Sequence, residues 1–426
     1  MSDCDVPTQE RPKTPAAGHS GTGEPISAWT RRLVVVGMVA AALNLRPAIT
    51  SLGALLEDVR DDLHMSGTVA GLLTSVPVLC FAVFGVAAPR LARRFGAGAV
   101  LCAAMCAIAA GLLLRSFAGS TPVFLATSAL GLAGIAVSNV LMPVIVKQYF
   151  PDRIGQMTGL YSMALLFGTA AAAAATVPIA GAFGGSWRLG LGVWSALAAM
   201  AVVPWLGLIR NRADASPASP AHPPREREVR ITRSPTAWAL ACYFGLQATA
   251  SYITMGWLPL IFRDAGVSPG TSGALLGVTM IIGVPLSVVL PAVAGRMRHQ
   301  GGLVLVLAAF GLGAYAGLWL APGTVPLVWA LMLGVANSSF PLALTMIGMR
   351  SRSGSGVVRL SAFAQSAGYL LSIPGPILVG MLYERSGGWG LPIALMTGLM
   401  VPQVIAGLLA GRCRHMEDDL AACSGR

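Results

Sequence analysis

Charge is what this chain lacks most. Only 11% of its 426 residues are Asp, Glu, Lys or Arg, while 55% are hydrophobic. Soluble globular domains carry about 25% charged residues, so an ordinary soluble domain is excluded and a polytopic membrane protein is expected. All 17 carboxylates fall outside the centres of the apolar segments, which removes the mid-membrane acid that proton-coupled carriers often use. The five histidines also lie outside those segments, and the seven cysteines show no zinc spacing, so no metal site is expected. Cys102 and Cys106 lie four apart on one helix, a spacing that small-residue packing explains. There is no HExxH pair, no intramembrane aspartate pair and no nucleophile elbow. An integral-membrane enzyme is therefore not expected, and no cofactor is implied.

What the chain has instead is apolar length. Segments long enough to cross a bilayer fall at about 33–56, 67–88, 98–115, 121–146, 156–181 and 189–209. A second set follows at about 236–261, 271–294, 302–320, 324–348, 357–382 and 389–410. The fold class expected is all-α and integral to the membrane, with twelve transmembrane helices in two pseudo-symmetric six-helix bundles, 33–209 and 236–411. Residues 1–32 form a polar tail with no signal-peptide core, expected to be disordered and cytoplasmic. Residues 210–235 form a Pro-rich charged linker containing ASPASPAHPPREREVR (215–230), and 412–426 form a second cytoplasmic tail. The two halves echo each other: Ser75-Val76-Pro77 against Gly283-Val284-Pro285, Asn139 with Pro143 against Asn337 with Pro341, and Gly168 with Gly181 against Gly368 with Gly380. Internal duplication of this kind marks transporter folds.

The net charge of +12 would suit nucleic acid, but the positions of the charges follow the membrane. With the N-terminus inside, 23 Lys and Arg fall on cytoplasmic segments. Only five fall outside: Arg60, Arg115, Arg188, Arg263 and Arg385. The positive-inside rule then places both termini in the cytoplasm of a multi-pass protein of the cytoplasmic membrane, with the lipid bilayer as its partner and no nucleic acid.

One cation fits neither set. Arg46 lies in NLRPAIT (44–50), near the middle of the first segment. A guanidinium there costs about 2.5–3.5 kcal/mol on insertion scales. Pro47 removes the donor that the Leu43 carbonyl would bond, so a kink is expected beside it. Such a residue usually faces a protein-lined cavity. With no carboxylate at its depth, Arg46 is satisfied either by backbone and hydroxyl groups or by a bound anion. Thr50 follows it by four residues on the same face, while Asn44 lies about 200° away round the helix. Other polar groups at mid-depth are Asn139, Gln247, Asn337 and Gln365. They read equally as interhelical hydrogen-bond partners or as cavity lining. Tyr161, Tyr252 and Tyr369 are candidate cavity walls as well as ordinary packing groups, and Trp257 is a gate or an interface anchor. The substrate-site candidates are therefore Arg46, Asn44, Thr50, Asn139, Tyr161, Gln247, Tyr252, Asn337, Gln365 and Tyr369.

The loop after the second segment reads Gly85-Val-Ala-Ala-Pro89-Arg90-Leu-Ala92-Arg93-Arg94. It resembles the Gly-x-x-x-Asp-Arg-x-Gly-Arg-Arg signature of the major facilitator superfamily. Gly85, Arg90, Arg93 and Arg94 match, while Pro89 replaces the Asp and Ala92 the Gly. The segments LNLRPAITSLGALL (43–56), GIAVSNVLMPVIVKQYFP (134–151), NSSFPLALTMIGMR (337–350) and LSAFAQSAGYLL (360–371) are similar to the CynX/NimT subgroup. The resemblance implies alternating access around a central site and a small, often anionic or nitrogen-containing substrate, as in cyanate and nitroimidazole transport. It also implies a gating role for Gly85, Arg90, Arg93, Arg94 and Trp257. A co-transported proton fits that picture. The alternative is a proton-driven multidrug or metabolite exporter of the same superfamily.

Overall fold

A computed structural model describes residues 28–150, 153–210, 231–352 and 354–419. Most of the expected N-terminal tail, the linker core 211–230 and the end of the C-terminal tail lie outside the described residues. The first half comprises α1 (Ala28–Asn44), α2 (Pro47–Ala54), α3 (Leu56–Asp62), α4 (Gly67–Phe95), α5 (Ala97–Ser116), α6 (Thr121–Tyr149), α7 (Ile154–Ala182) and α8 (Trp187–Arg210). The second comprises α9 (Pro235–Asp264), α10 (Pro269–Ile281), α11 (Gly283–Arg296), α12 (Gly301–Leu320), α13 (Pro326–Asn337), α14 (Ser339–Met349), α15 (Gly354–Ser372), α16 (Pro374–Ser386) and α17 (Gly390–Ala410). Taking each interrupted helix as one rod, and setting the short α3 aside, the described residues form two sets of six. Their outer faces carry exposed apolar side chains such as Val203, Val288 and Leu320, a surface suited to lipid and not to water.

Local chemistry sets the helix ends. Ser66, Ser234 and Ser268 cap α4, α9 and α10 by accepting from the amides of Val69, Ala237 and Thr271. Proline opens α2, α9, α10, α13 and α16, where its missing N–H costs nothing. The first rod breaks between Asn44 and Pro47, as the sequence predicts. The rods of the second half break at Ile282, Ser338 and Ile373. Their counterparts α4, α6 and α7 run through as continuous helices of 29 residues each.

Each half packs on itself, α5 against α6 and α8, and α9 against α15 and α17. Between the halves, α4 packs on α16, α7 on α10, and α2 on α9. These contacts concentrate at the end carrying α3, which the loop charges assign to the outside. There a Cβ on Gly53 would collide with the Met255 carbonyl, and one on Gly380 with the Gly67 carbonyl. A rim of polar contacts closes the same end. Arg263 Nε lies 2.7 Å from Glu57 and its Nη2 3.2 Å from Asp58. Glu384 accepts from both the amide and the hydroxyl of Thr68 at 3.0 Å. Toward the opposite end the packing on α7 thins from α10 to α11, and a Cβ at Gly159 or Gly348 would meet nothing within 4 Å.

Candidate functional site

Pro47 frees the Leu43 carbonyl, and Gly168 of α7 lies directly against that oxygen, too close for any Cβ. The gap between α1 and α2 is where Arg46 sits, in the N-cap position with φ −124° and ψ −24°. Its own carbonyl restarts the helix by accepting from the amides of Ile49 and Thr50 at 2.9 and 3.1 Å. The guanidinium, half-buried, is thereby projected off the rod toward the second half. Nη1 donates to the Tyr252 hydroxyl at 3.4 Å, with the cation 5.7 Å from the centre of that ring. Tyr161 of α7 and Tyr369 of α15 stand within electrostatic range. Tyr369 is stacked on Phe81, with centroids 5.1 Å apart and planes at 14°, and meets the edge of Phe244. Among the described residues no carboxylate lies within 4 Å of Arg46. The result is a cation held in an aromatic, hydroxyl-bearing wall drawn from α2, α4, α7, α9 and α15. A negative or electron-rich group entering it meets an uncompensated charge.

The other predicted residues are placed elsewhere. Asn44 is 1% exposed and donates to the carbonyls of Ala40 and Leu197, so it turns toward α8 and away from the tyrosines. Thr50 is buried and donates to the Arg46 carbonyl at 3.3 Å, supporting the cation's backbone and not its ligand side. Asn139 and Gln365 bond within their own helices, to the Ile135 carbonyl and the Ser361 hydroxyl. Gln247 and Asn337 do meet, but inside the second half. Pro341 deprives the Asn337 carbonyl of its helical donor, and Gln247 Nε2 supplies one at 3.1 Å, itself held by Gln403 at 2.8 Å. These groups secure the α13–α14 bend. Trp257 is fully buried between Tyr383 and Trp389 near the closed end. Arg90, Arg93 and Arg94 are exposed at the far end of α4, the helix that also holds Gly85.

Two cations read as loop charges are buried: Arg115, and Arg350 at the C-cap of α14, which is 3% exposed and donates to the Ala410 carbonyl at 2.9 Å. Arg115 is not a loop cation; it lies in the last turn of α5 and is 1% exposed. Helical side chains lean toward the N-terminus of their helix, and α5 runs toward the closed end, so the lean carries this guanidinium back into the protein. Gln403, Ser51 and Phe81 were also missed, and nothing in the spacing of these common residue types singles them out.

The Major Facilitator Superfamily model matches residues 34–376, and the chain belongs to that superfamily. It is a multi-pass membrane transporter and not an enzyme. It is 34% identical over 386 residues to the uncharacterized transporter YycB of Bacillus subtilis, spanning 90% of this chain and 94% of that protein. It is 32% identical to the 2-nitroimidazole transporter of Escherichia coli, over 92% and 98% of the two chains. With the cyanate transport protein CynX of the same organism the figures are 29%, 85% and 94%. Among solved structures, an inward-facing, occupied bacterial homologue of the lysosomal transporter Spinster superposes with a TM-score of 0.72 at 15% identity, covering 91% of this chain and 97% of its own. A D-xylose–proton symporter gives 0.69 at 15%, covering 92% and 99%. At such identities the structures speak for the fold alone.

Proposed function

We propose that this chain is a secondary transporter of the cytoplasmic membrane that moves a small anionic or nitrogen-containing solute by alternating access, with Arg46 binding its negative or electron-rich end. The observation that carries this is Arg46 itself: a half-buried cation at a helix break, turned toward the other half, with tyrosines and no carboxylate around it. Retaining such a charge at mid-depth against its insertion cost argues for use. The names of two relatives, a cyanate transport protein and a 2-nitroimidazole transporter, support the same substrate class. Tyr161, Tyr252 and Tyr369 form a wall that suits a short linear anion or a flat ring. With both termini cytoplasmic, the closed end is the outer one and the conformation is inward-facing. No carboxylate among the described residues sits at the depth of Arg46. A co-transported proton therefore travels as the conjugate acid of the substrate or is carried by an edge carboxylate such as Glu57.

The test is a thermal shift of the purified chain against cyanate, other small anions and nitroimidazoles, run in parallel on Arg46→Ala. Ligand at about 100 times its Kd stabilises the folded state by about 2.7 kcal/mol. The expected result is stabilisation of the wild type by one ligand class and none in the variant. An equal response in Arg46→Ala would make the arginine structural.

A further inference from the structure

Arg115 and Ser128 line a small cavity that also takes in Tyr252, the residue that touches Arg46. Arg115 Nη1 donates to the Ala48 carbonyl at 2.9 Å and Nη2 to the Ser51 hydroxyl at 3.2 Å. Its Nε is buried with no partner. Ser128 Oγ, on α6 and 3% exposed, is likewise buried without a partner. No carboxylate among the described residues lies within 4 Å of this guanidinium. A buried cation with a spare N–H, a spare hydroxyl and no counter-charge is costly unless something negative visits it.

The walls divide between the two halves. Nine of the eleven lining residues, among them Thr74 and Pro77, belong to the first half; the other two are Tyr252 and Gly256 of α9. Gly256 lies so close to Thr74 that a Cβ there would come within 2.7 Å of the threonine methyl. With α9 seated, about 10 Å³ of free space remains, enough for roughly one water. Parting of the halves at this end would withdraw α9 and leave the cavity as an open notch in the first half. Ala48, which Arg115 holds, lies two residues beyond Arg46, about 3 Å of helix rise. Tyr252 borders the notch and also touches Arg46.

We infer that Arg115 and Ser128 form an outer subsite for a small monovalent anion, loaded from outside and emptied toward Arg46 as α9 closes over it. This rests on the anion-transport reading of the Arg46 site. The test uses [14C]cyanate flux in right-side-out and inside-out membrane vesicles containing the full chain. Arg115→Lys keeps a charge but loses Nε and the fork; Ser128→Ala removes only the hydroxyl. Both are expected to raise the half-saturating concentration at the outer face at least fivefold while leaving the inner-face value within twofold. Arg46→Gln is expected to impair both faces. A wild type that moves neither cyanate nor, in the same vesicles, a second small monovalent anion such as [14C]formate overturns the anion reading and this inference together. A wild type that moves either anion, with neither Arg115→Lys nor Ser128→Ala affecting one face selectively, overturns only the outer subsite and leaves Arg115 as a clamp on α2.

Discussion

The two ends of this molecule are built from the same helices but hold together differently. At the end carrying α3, backbone lies against backbone: Gly53 on Met255 and Gly67 on Gly380. At the other, packing between the halves thins along α11. In lipid there is no hydrophobic drive to push helices together, so close approach through small residues sets where they meet. The shut end is therefore marked by glycines that let backbone of the two halves touch, Gly53 on Met255 and Gly67 on Gly380, with the ion pairs of Arg263 added at the rim.

Breaking the close approach should have the largest effect. Gly53→Val places side-chain carbon where the Met255 carbonyl already stands, and backbone cannot yield as a flexible side chain can. Transport is expected to fall more than tenfold at equal membrane abundance. A cysteine placed at Thr74, which lies against Gly256 across the seam, should become reactive to an impermeant maleimide from outside, measured against the unmodified chain. Unchanged labelling would mean that the seam tolerates the valine and does not control closure.

Loss of the rim pairs should do less. Arg263 is 15% exposed and its partners Glu57 and Asp58 are 30% and 39% exposed, so solvent screens them, and such pairs are worth about 1 kcal/mol at most. Arg263→Gln should shift the balance of closed and open states by up to about fivefold. It should appear as faster labelling of the same cysteine, and the difference from the parent should shrink as salt is raised.

The contrast also explains what the sequence could and could not tell. Apolar length alone located all twelve rods, and Pro47 located the break beside Arg46. Matched prolines did not reveal which rods break. Pro77 and Pro143 sit inside continuous helices, while Pro341 lies just past an interruption whose freed carbonyl Gln247 takes up. That partner is 90 residues away, beyond any local pattern. The aromatic wall was legible only as a set of candidates, because bringing Tyr161, Tyr252 and Tyr369 to one cation depends on the mutual rotation of three helices from two halves. Arg115 was within reach, since the lean of a helical side chain toward its N-terminus is known from chain direction alone.

The smallest expected effect lies away from the seam, where Asp419 ties the C-terminal segment to the start of α9. Its carboxylate accepts from the Ser234 hydroxyl at 2.8 Å and the Thr236 amide at 3.1 Å. Burial pushes this carboxyl upward, but those hydrogen bonds outweigh it and hold the group below its ordinary value of 3.8. A carboxylate lowered on folding contributes stability that is fully present above that value and lost as pH falls through the folded one. Between pH 5 and 8 its contribution is therefore constant. Asp419→Asn should lower the apparent Tm by about 1–2 °C across that window, as loss of a helix cap does, and the gap should close only below about pH 4. Because the contact stays within one half, cysteine labelling at Thr74 and the transport rate should not change. If they did, closure of the seam would depend on order at the opposite end, and the two ends would have to be treated as one coupled element.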